Sequence, residues 1–280
     1  MPLRRSNFRR LSVVAESRVP QVSRAIVRVL RAHVRAVADD VAAGADFQQV
    51  IDSLHTPISR QLADAKEPLA LAGAVEGFAL AGAAMGKSAA LAAAAEKIRS
   101  KALDVDMTGA DELVANYLRP HVGKWIAETS EIETRTTAAR LGRIYRRAQI
   151  GYQTPDGEIR GLTPREIGTL IMHDGLAEMP VRADMLARTM TIWAYGEGAV
   201  GVYEQEGVQY GEWMATLDEV TGEWDQAMHG KIVALRENFA RAGETFVESS
   251  GSIATSKFDV THPPLHPNCR CTILPVLEGL

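Results

Sequence analysis

Cys269 and Cys271 stand with His262, His266 and four prolines in the run Thr261-His262-Pro263-Pro264-Leu265-His266-Pro267-Asn268-Cys269-Arg270-Cys271-Thr272-Ile273-Leu274-Pro275. The 280-residue chain has no other cysteine. Residues i and i+2 of an extended strand share a face, so both sulfurs can point to one side while Arg270 points to the other. Pro263, Pro264 and Pro267 exclude helix upstream by removing amide donors and forcing extended geometry on their predecessors. The spacing therefore predicts a rigid loop entering a terminal strand over Cys271–Val276. Thiolate and imidazole groups are the ligands of a tetrahedral zinc ion, and His266, Cys269 and Cys271 with either His262 or His229 make up such a set. The other reading takes the thiols as small buried apolar groups and the imidazoles as packing on proline. A Cys-x-Cys disulfide is geometrically strained and nothing else marks a secreted chain, which argues against a bridge.

Other chemistries find little support. Ala81-Gly82-Ala83-Ala84-Met85-Gly86-Lys87-Ser88 formally fits a phosphate loop, but it lies inside an Ala-rich helical run with no buried strand before it. There is no G-x-S-x-G elbow, and neither cysteine opens a helix that would lower its pKa. The carboxylate pairs Asp218 with Glu219 and Glu223 with Asp225 read as solvated surface. His229, before Gly230 and Lys231, reads first as a satisfied helix-end histidine and second as a ligand.

The elements that would position these groups follow from periodicity. Val22, Ile26, Val29, Leu30, His33, Val34, Val37 and Val41 recur every three or four residues and define an amphipathic helix. Arg24, Arg28, Arg31 and Arg35 form a second stripe on it, suited to an anionic partner. Further helices are expected at Asp46–Ala65, Leu69–Ala102, Gly109–Trp125 and Glu131–Ile150, with breaks at Pro68 and Gly109. Gly151-Tyr152-Gln153-Thr154-Pro155-Asp156-Gly157 is the strongest turn cluster and places a domain boundary near residue 155. Beyond it, Thr163-Pro164-Arg165-Glu166 is a capped helix start. A long helix at Ala183–Glu206, a strand at Gly207–Leu217 anchored by Trp213, a helix at Gln226–Asn238, an irregular Ser249–Ser256 stretch and the terminal strand complete the second region. The fold class is α+β: a mainly helical region over residues 1–155, then a compact α+β domain with a short sheet over 156–280.

Hydrophobic residues at 46% and charged residues at 24% exclude a disordered chain. Residues 1–36 hold nine arginines against one acid, Glu16, a local balance of +8 and thus a basic arm. No base-reading module or interleaved aromatics accompany it. The arginine-rich start lacks the apolar stretch of a signal peptide. Leu69–Gly86 is the one membrane candidate. Ala and Gly dominate it, and Glu76 near its centre would cost roughly 2.5–3.5 kcal/mol, so spanning is not expected. Gly73-x3-Gly77 and Gly82-x3-Gly86 read instead as close helix packing.

The segment Met185-Leu186-Ala187-Arg188-Thr189, then Ala194, Tyr203–Val208, Trp213 with Asp218, His229-Gly230-Lys231 and Pro264-Leu265-His266-Pro267-Asn268-Cys269-Arg270-Cys271 resemble, in that order, the carboxy-terminal domain of phage head-morphogenesis proteins. These are minor capsid proteins similar to the F protein of phage Mu. Residues 181–280 carry the resemblance, and His-Pro-Asn-Cys-Arg-Cys is its most specific part. It implies a non-enzymatic virion component acting in head assembly or genome delivery. The portal and major capsid proteins would be its partners, inside the capsid near the portal vertex, with no small-molecule substrate. Arg188 and Thr189 would hold the long helix against the terminal loop, and Asn268 and Arg270 would pin that loop. The arginine stripe would face packaged DNA or an acidic portal surface. Many relatives carry a cysteine pair after the aspartate, where this chain has Thr221-Gly222-Glu223-Trp224. His229 would then stand in, giving His229, His266, Cys269 and Cys271 as zinc ligands. Two rival classes are a metal-dependent hydrolase or toxin-like effector using the His/Cys loop, and a DNA-binding packaging protein.

Overall fold

A computed structural model of the chain describes residues 5–85, 112–150, 152–153, 159–177 and 179–276. Its helices are α1 (Arg5–Ala42), α2 (Phe47–Ala84), α3 (Glu112–Ile150), α4 (Pro164–Ala177), α5 (Met179–Gln205) and α6 (Glu223–Met228). Its strands are β1 (Tyr152–Gln153), β2 (Ile159–Arg160), β3 (Tyr210–Met214), β4 (Ile232–Ala234), β5 (Thr245–Val247), β6 (Ile253–Thr255) and β7 (Thr272–Val276). This is an α+β chain, helical first and with short antiparallel sheets later. Gly86 and Lys87-Ser88, the Ala-rich run beyond residue 85, the Gly109 break and most of the turn cluster around 155 lie outside the described residues.

Contacts group the chain into two compact units, each discontinuous: residues 21–67 with 123–184, and residues 1–20 with 68–122 and 185–280. A division of the sequence near residue 155 remains a proposal.

In the first of these units, Val22, Ile26, Leu30, Val34, Val37 and Val41 of α1 are buried, which is the apolar stripe read from spacing. Arg24, Arg28, Arg31 and Arg35 are all exposed on the same helix. Val50, Ile58 and Leu62 of α2, Ile126 and Leu141 of α3, and Ile167 and Ile171 of α4 are buried in the same unit, where Gly175 of α4 lies against Val34 of α1 and Leu141 of α3. Thr163 and Glu166 form a reciprocal capping box at the start of α4: Thr163 N–H donates to Glu166 Oε2 at 2.9 Å, and Glu166 N–H to Thr163 Oγ1 at 3.3 Å. One feature has no counterpart in the apolar pattern. Lys66 and Glu133, both buried, pair at 3.0 Å.

The other unit is built around α5. From Met190 to Tyr203 this helix is buried on nearly every side, with Ala194, Tyr195, Ala199, Val200 and Val202 in the core, as expected of a helix enclosed by its neighbours. Gly73 and Gly77 of α2 sit directly on Ala194 and Tyr195, and Gly198 sits on the backbone at Ala74. The glycine spacing in α2 is thus a close helix contact, and no described helix is long and apolar enough to cross a membrane. The three-stranded sheet has the order β4-β3-β7, with Trp213 opposite Ile273 and Gly211 opposite Pro275. Pro275 is tolerated because β7 lies at an edge. Trp213 is fully buried and meets Phe239 edge-on at 5.2 Å, while Tyr203 Oη donates to the Ile273 carbonyl at 3.1 Å.

Four local expectations are corrected. Helix α2 continues through Pro68, because buried apolar residues on both sides outweigh a proline cost of about 3 kcal/mol. The two helices expected between 109 and 150 are one, α3, from Glu112 onward. The helix expected at Gln226–Asn238 is α6, earlier and shorter, because Gly230 turns left-handed at φ 81° and starts β4. The Ser/Gly-rich stretch is the turn of the β5–β6 hairpin, with Val247 opposite Ile253 and Gly251 at φ 82°.

Candidate functional site

The loop from His262 to Cys271 joins α5, the β3–α6 segment and β7, and each of its polar side chains has a partner on one of them. Asn268, at φ 65°, is the hinge. Arg188 Nη1 of α5 donates to Asn268 Oδ1 at 2.8 Å, and the Asn268 amide donates to Thr189 Oγ1 at 3.3 Å. Thr189 holds its own place by donating to the Met185 carbonyl one turn earlier. On the opposite side Arg270 grips Asp218 with both ends of its guanidinium, at 2.7 Å each. Hydrogen bonds from Arg270 hold the exposed Asp218 carboxyl at about 2, with help from Thr221 and the Val220 amide. Thr216 Oγ1 donates to the Arg270 carbonyl at 2.9 Å.

With Arg270 turned outward, Cys269 and Cys271 turn inward, and both are buried free thiols. They meet a residue that reads as surface from sequence. Asp225 is only 5% exposed, because Trp224, Asp225 and Met228 form the inner face of α6. Its Oδ1 lies 3.6 Å from Cys269 Sγ and 3.3 Å from Cys271 Sγ. Its Oδ2 lies 2.8 Å from His266 Nε2, and His266 Nδ1 lies 2.8 Å from the Pro267 carbonyl. Burial lowers the His266 imidazole, but Asp225 outweighs it and raises the group to about 9. The two thiols are pushed apart. Burial raises Cys269, yet hydrogen bonding from Cys271 and the nearby His266 bring it below the ordinary value; the same hydrogen bond and burial raise Cys271.

Among the described residues, Asp225, Cys269 and Cys271 are the group whose ligand atoms all lie within 4.8 Å of one another. His266 stands beside this group, on the far oxygen of Asp225. His229 does not join it: its Nδ1 accepts the Ala215 amide at 3.2 Å, where it caps α6 before the Gly230 turn. His262 does not join it either. The sequence signal for Asp225 is an acid at i, i+3 spacing from Met228 on the apolar face of a six-residue helix.

His262 belongs to a second polar cluster. Its Nε2 lies 3.0 Å from Glu197 Oε2 and its Nδ1 lies 2.7 Å from the Pro263 carbonyl, with Trp193 against the ring. Arg236, at φ 68°, lies 2.9 Å from Glu197 and also grips Glu204 two helical turns further on. Burial pushes the Glu197 carboxyl up, but His262 and Arg236 outweigh it and hold the group at about 2 against an ordinary 4.5. The folded value is the lower one, so this stabilisation is complete above pH 4.5 and is lost as pH falls towards 2, a contribution of about 3 kcal/mol. Glu197→Gln is therefore expected to be less stable than the native chain at pH 7 by a comparable amount and to match it near pH 2. Denaturant titrations across that range check this. Parallel acid limbs for the two proteins would contradict it.

The family described as Phage Mu protein F like protein matches over residues 123–274, more than half of the chain. No curated protein and no solved structure matches.

Proposed function

The chain belongs to the Phage Mu protein F like family, which makes it a phage head-morphogenesis protein, and from that membership we propose that it is a minor capsid component. In this reading it joins the portal and the inner face of the shell, serves head assembly or genome delivery, and does so without turning over a substrate. The observation that supports it is the use of the carboxy-terminal loop. Asn268, Arg270 and His266 are each engaged by a residue of the same unit, Arg188, Asp218 and Asp225 respectively. A loop tied down on three sides is a rigid surface, suited to fitting a neighbour in an assembly.

The exposed stripe Arg24, Arg28, Arg31 and Arg35 supports an anionic contact for α1 in the other unit. Packaged DNA or an acidic portal surface would each satisfy it, and DNA binding by α1 would weaken steeply as salt rises.

Mass-spectrometric counting in purified particles tests the proposal. A few copies per particle, held with the portal after the shell is dissociated, are expected. Counting before and after DNA release separates assembly from delivery, since a delivered protein leaves with the genome. Absence from both immature and mature particles would refute the reading.

A further inference from the structure

At the base of the loop His266 compensates one oxygen of Asp225 at 2.8 Å, while the other, Oδ1, faces only the two thiols. A carboxyl and two thiols, all able to carry negative charge, lie within 4.8 Å of one another in a buried position. Two weak S–H donors are poor compensation for a carboxyl oxygen taken out of water. Apolar cysteines would be as well served by an apolar neighbour. A cation would remove the conflict.

The spacing suits one. A tetrahedral ion with bonds of about 2.3 Å to sulfur and 2.0–2.2 Å to oxygen sets its ligands about 3.5 Å apart. The observed oxygen–sulfur separations are 3.6 and 3.3 Å. Two thiolates select a borderline-soft ion such as zinc over magnesium or calcium, which prefer all-oxygen shells. The chain also fixes each ligand from behind. Arg270, turned away to Asp218, orients the cysteines on either side of it; α6 presents Asp225; and His266, itself set against the Pro267 carbonyl, holds the second carboxyl oxygen. A ligating carboxylate is itself held by a hydrogen bond from behind, and His266 supplies one.

We propose that Asp225, Cys269 and Cys271 bind one divalent ion of the zinc class, with His266 as the positioning residue behind Asp225 and with no part played by His229. The site is independent of the role in the particle, since a soluble chain can be assayed for it directly.

The experiment uses the full chain, reduced, stripped of metal and reloaded with zinc or cobalt(II). One ion per chain is expected, and the cobalt form should show sulfur-to-metal charge transfer of two-thiolate intensity with tetrahedral ligand-field bands. Cys269→Ser and Cys271→Ser should each halve the charge transfer and weaken binding at least 100-fold. Asp225→Cys should retain the ion and raise the charge transfer by about half, a gain that a misfolded variant cannot mimic. His266→Ala should weaken binding 10–100-fold with charge transfer unchanged, as expected of an outer support. His229→Ala should change neither. Failure of the native chain to hold zinc or cobalt at unit stoichiometry overturns the proposal, as does loss of the ion in His229→Ala or a charge transfer in Asp225→Cys no greater than the native one.

Discussion

Replacing Glu133 by glutamine is expected to lower the stability of the helical unit by about 3–5 kcal/mol, the loss typical when one partner of a buried ion pair is removed. Lys66 is 1% exposed, and its Nζ lies 3.0 Å from Glu133 Oε1 and 3.1 Å from Thr129 Oγ1, with the Trp125 ring at 6.0 Å. Burial lowers the Lys66 ammonium group, and Glu133 opposes that lowering. Glutamine keeps the shape and the hydrogen bond but removes the opposing charge, so the amine must lose its proton or remain charged and unpaired in the core. The unfolded chain binds that proton up to about 10.5, whereas the folded variant releases it earlier. Stability of the variant therefore rises with pH, and its deficit shrinks as pH approaches 10. The double change Lys66→Met with Glu133→Leu should restore most of the loss, since apolar residues of similar volume can replace such a pair at little cost. Equilibrium denaturation of the native, single and double variants at pH 7 and 9.5 checks all three statements. A single variant as stable as the native chain would show that the pair contributes nothing.

Neither Lys66 nor Glu133 could be singled out from the sequence, and the reason is general to the buried charges of this chain. Their partners are remote in sequence: Lys66 and Glu133 are 67 residues apart, Arg18 and Glu76 58 apart, and Glu197 and His262 65 apart. Periodicity reports which face of a helix is apolar, and it treats an isolated charge on that face as noise. Glu76 shows the consequence. In sequence it only weakens a membrane reading, whereas in the fold it is 1% exposed and takes both Arg18 at 3.1 Å and the Tyr195 hydroxyl. Asp225 escaped for the same reason, on a helix too short to establish a period.

What could be read was local or covalently constrained. The two stripes of α1 follow from 3.6-residue spacing, the Thr163 capping box from four adjacent residues, and the terminal loop from proline and the i, i+2 relation of the cysteines. The β5–β6 hairpin had its signal in Thr245-Phe246-Val247 and Ile253-Ala254-Thr255, two short β-favouring runs, but the Ser/Gly turn between them masked it. A single left-handed glycine, Gly230, sets the boundary after α6, and no apolar period reports it.

The glycines that pack α2 on α5 give the other large effect. A Cβ on Gly198 would stand 1.9 Å from the Ala74 carbonyl oxygen, and one on Gly77 would stand 2.5 Å from the Tyr195 carbonyl oxygen. Both obstacles are backbone, so no rotamer change relieves them and the helices must separate. Overpacking of a core costs typically about 1–3 kcal/mol and more when the backbone has to move, so Gly198→Ala and Gly77→Ala should each lose 3 kcal/mol or more. Gly222→Ala is the control: it has open space around it and φ −62°, and as the N-cap of α6 it should lose no more than about 1 kcal/mol. Arg188 and Thr189, which hold Asn268, lie on the same helix as Gly198, so displacing α5 should also loosen the loop that closes the carboxy-terminal unit. Hydrogen exchange reads that directly. In Gly198→Ala the Asn268 amide should exchange faster than in the native chain under conditions where the protein remains folded, while Gly222→Ala leaves it unchanged. Protection at Asn268 that survives in Gly198→Ala would mean that the loop is held independently of α5, and not by Arg188 and Thr189.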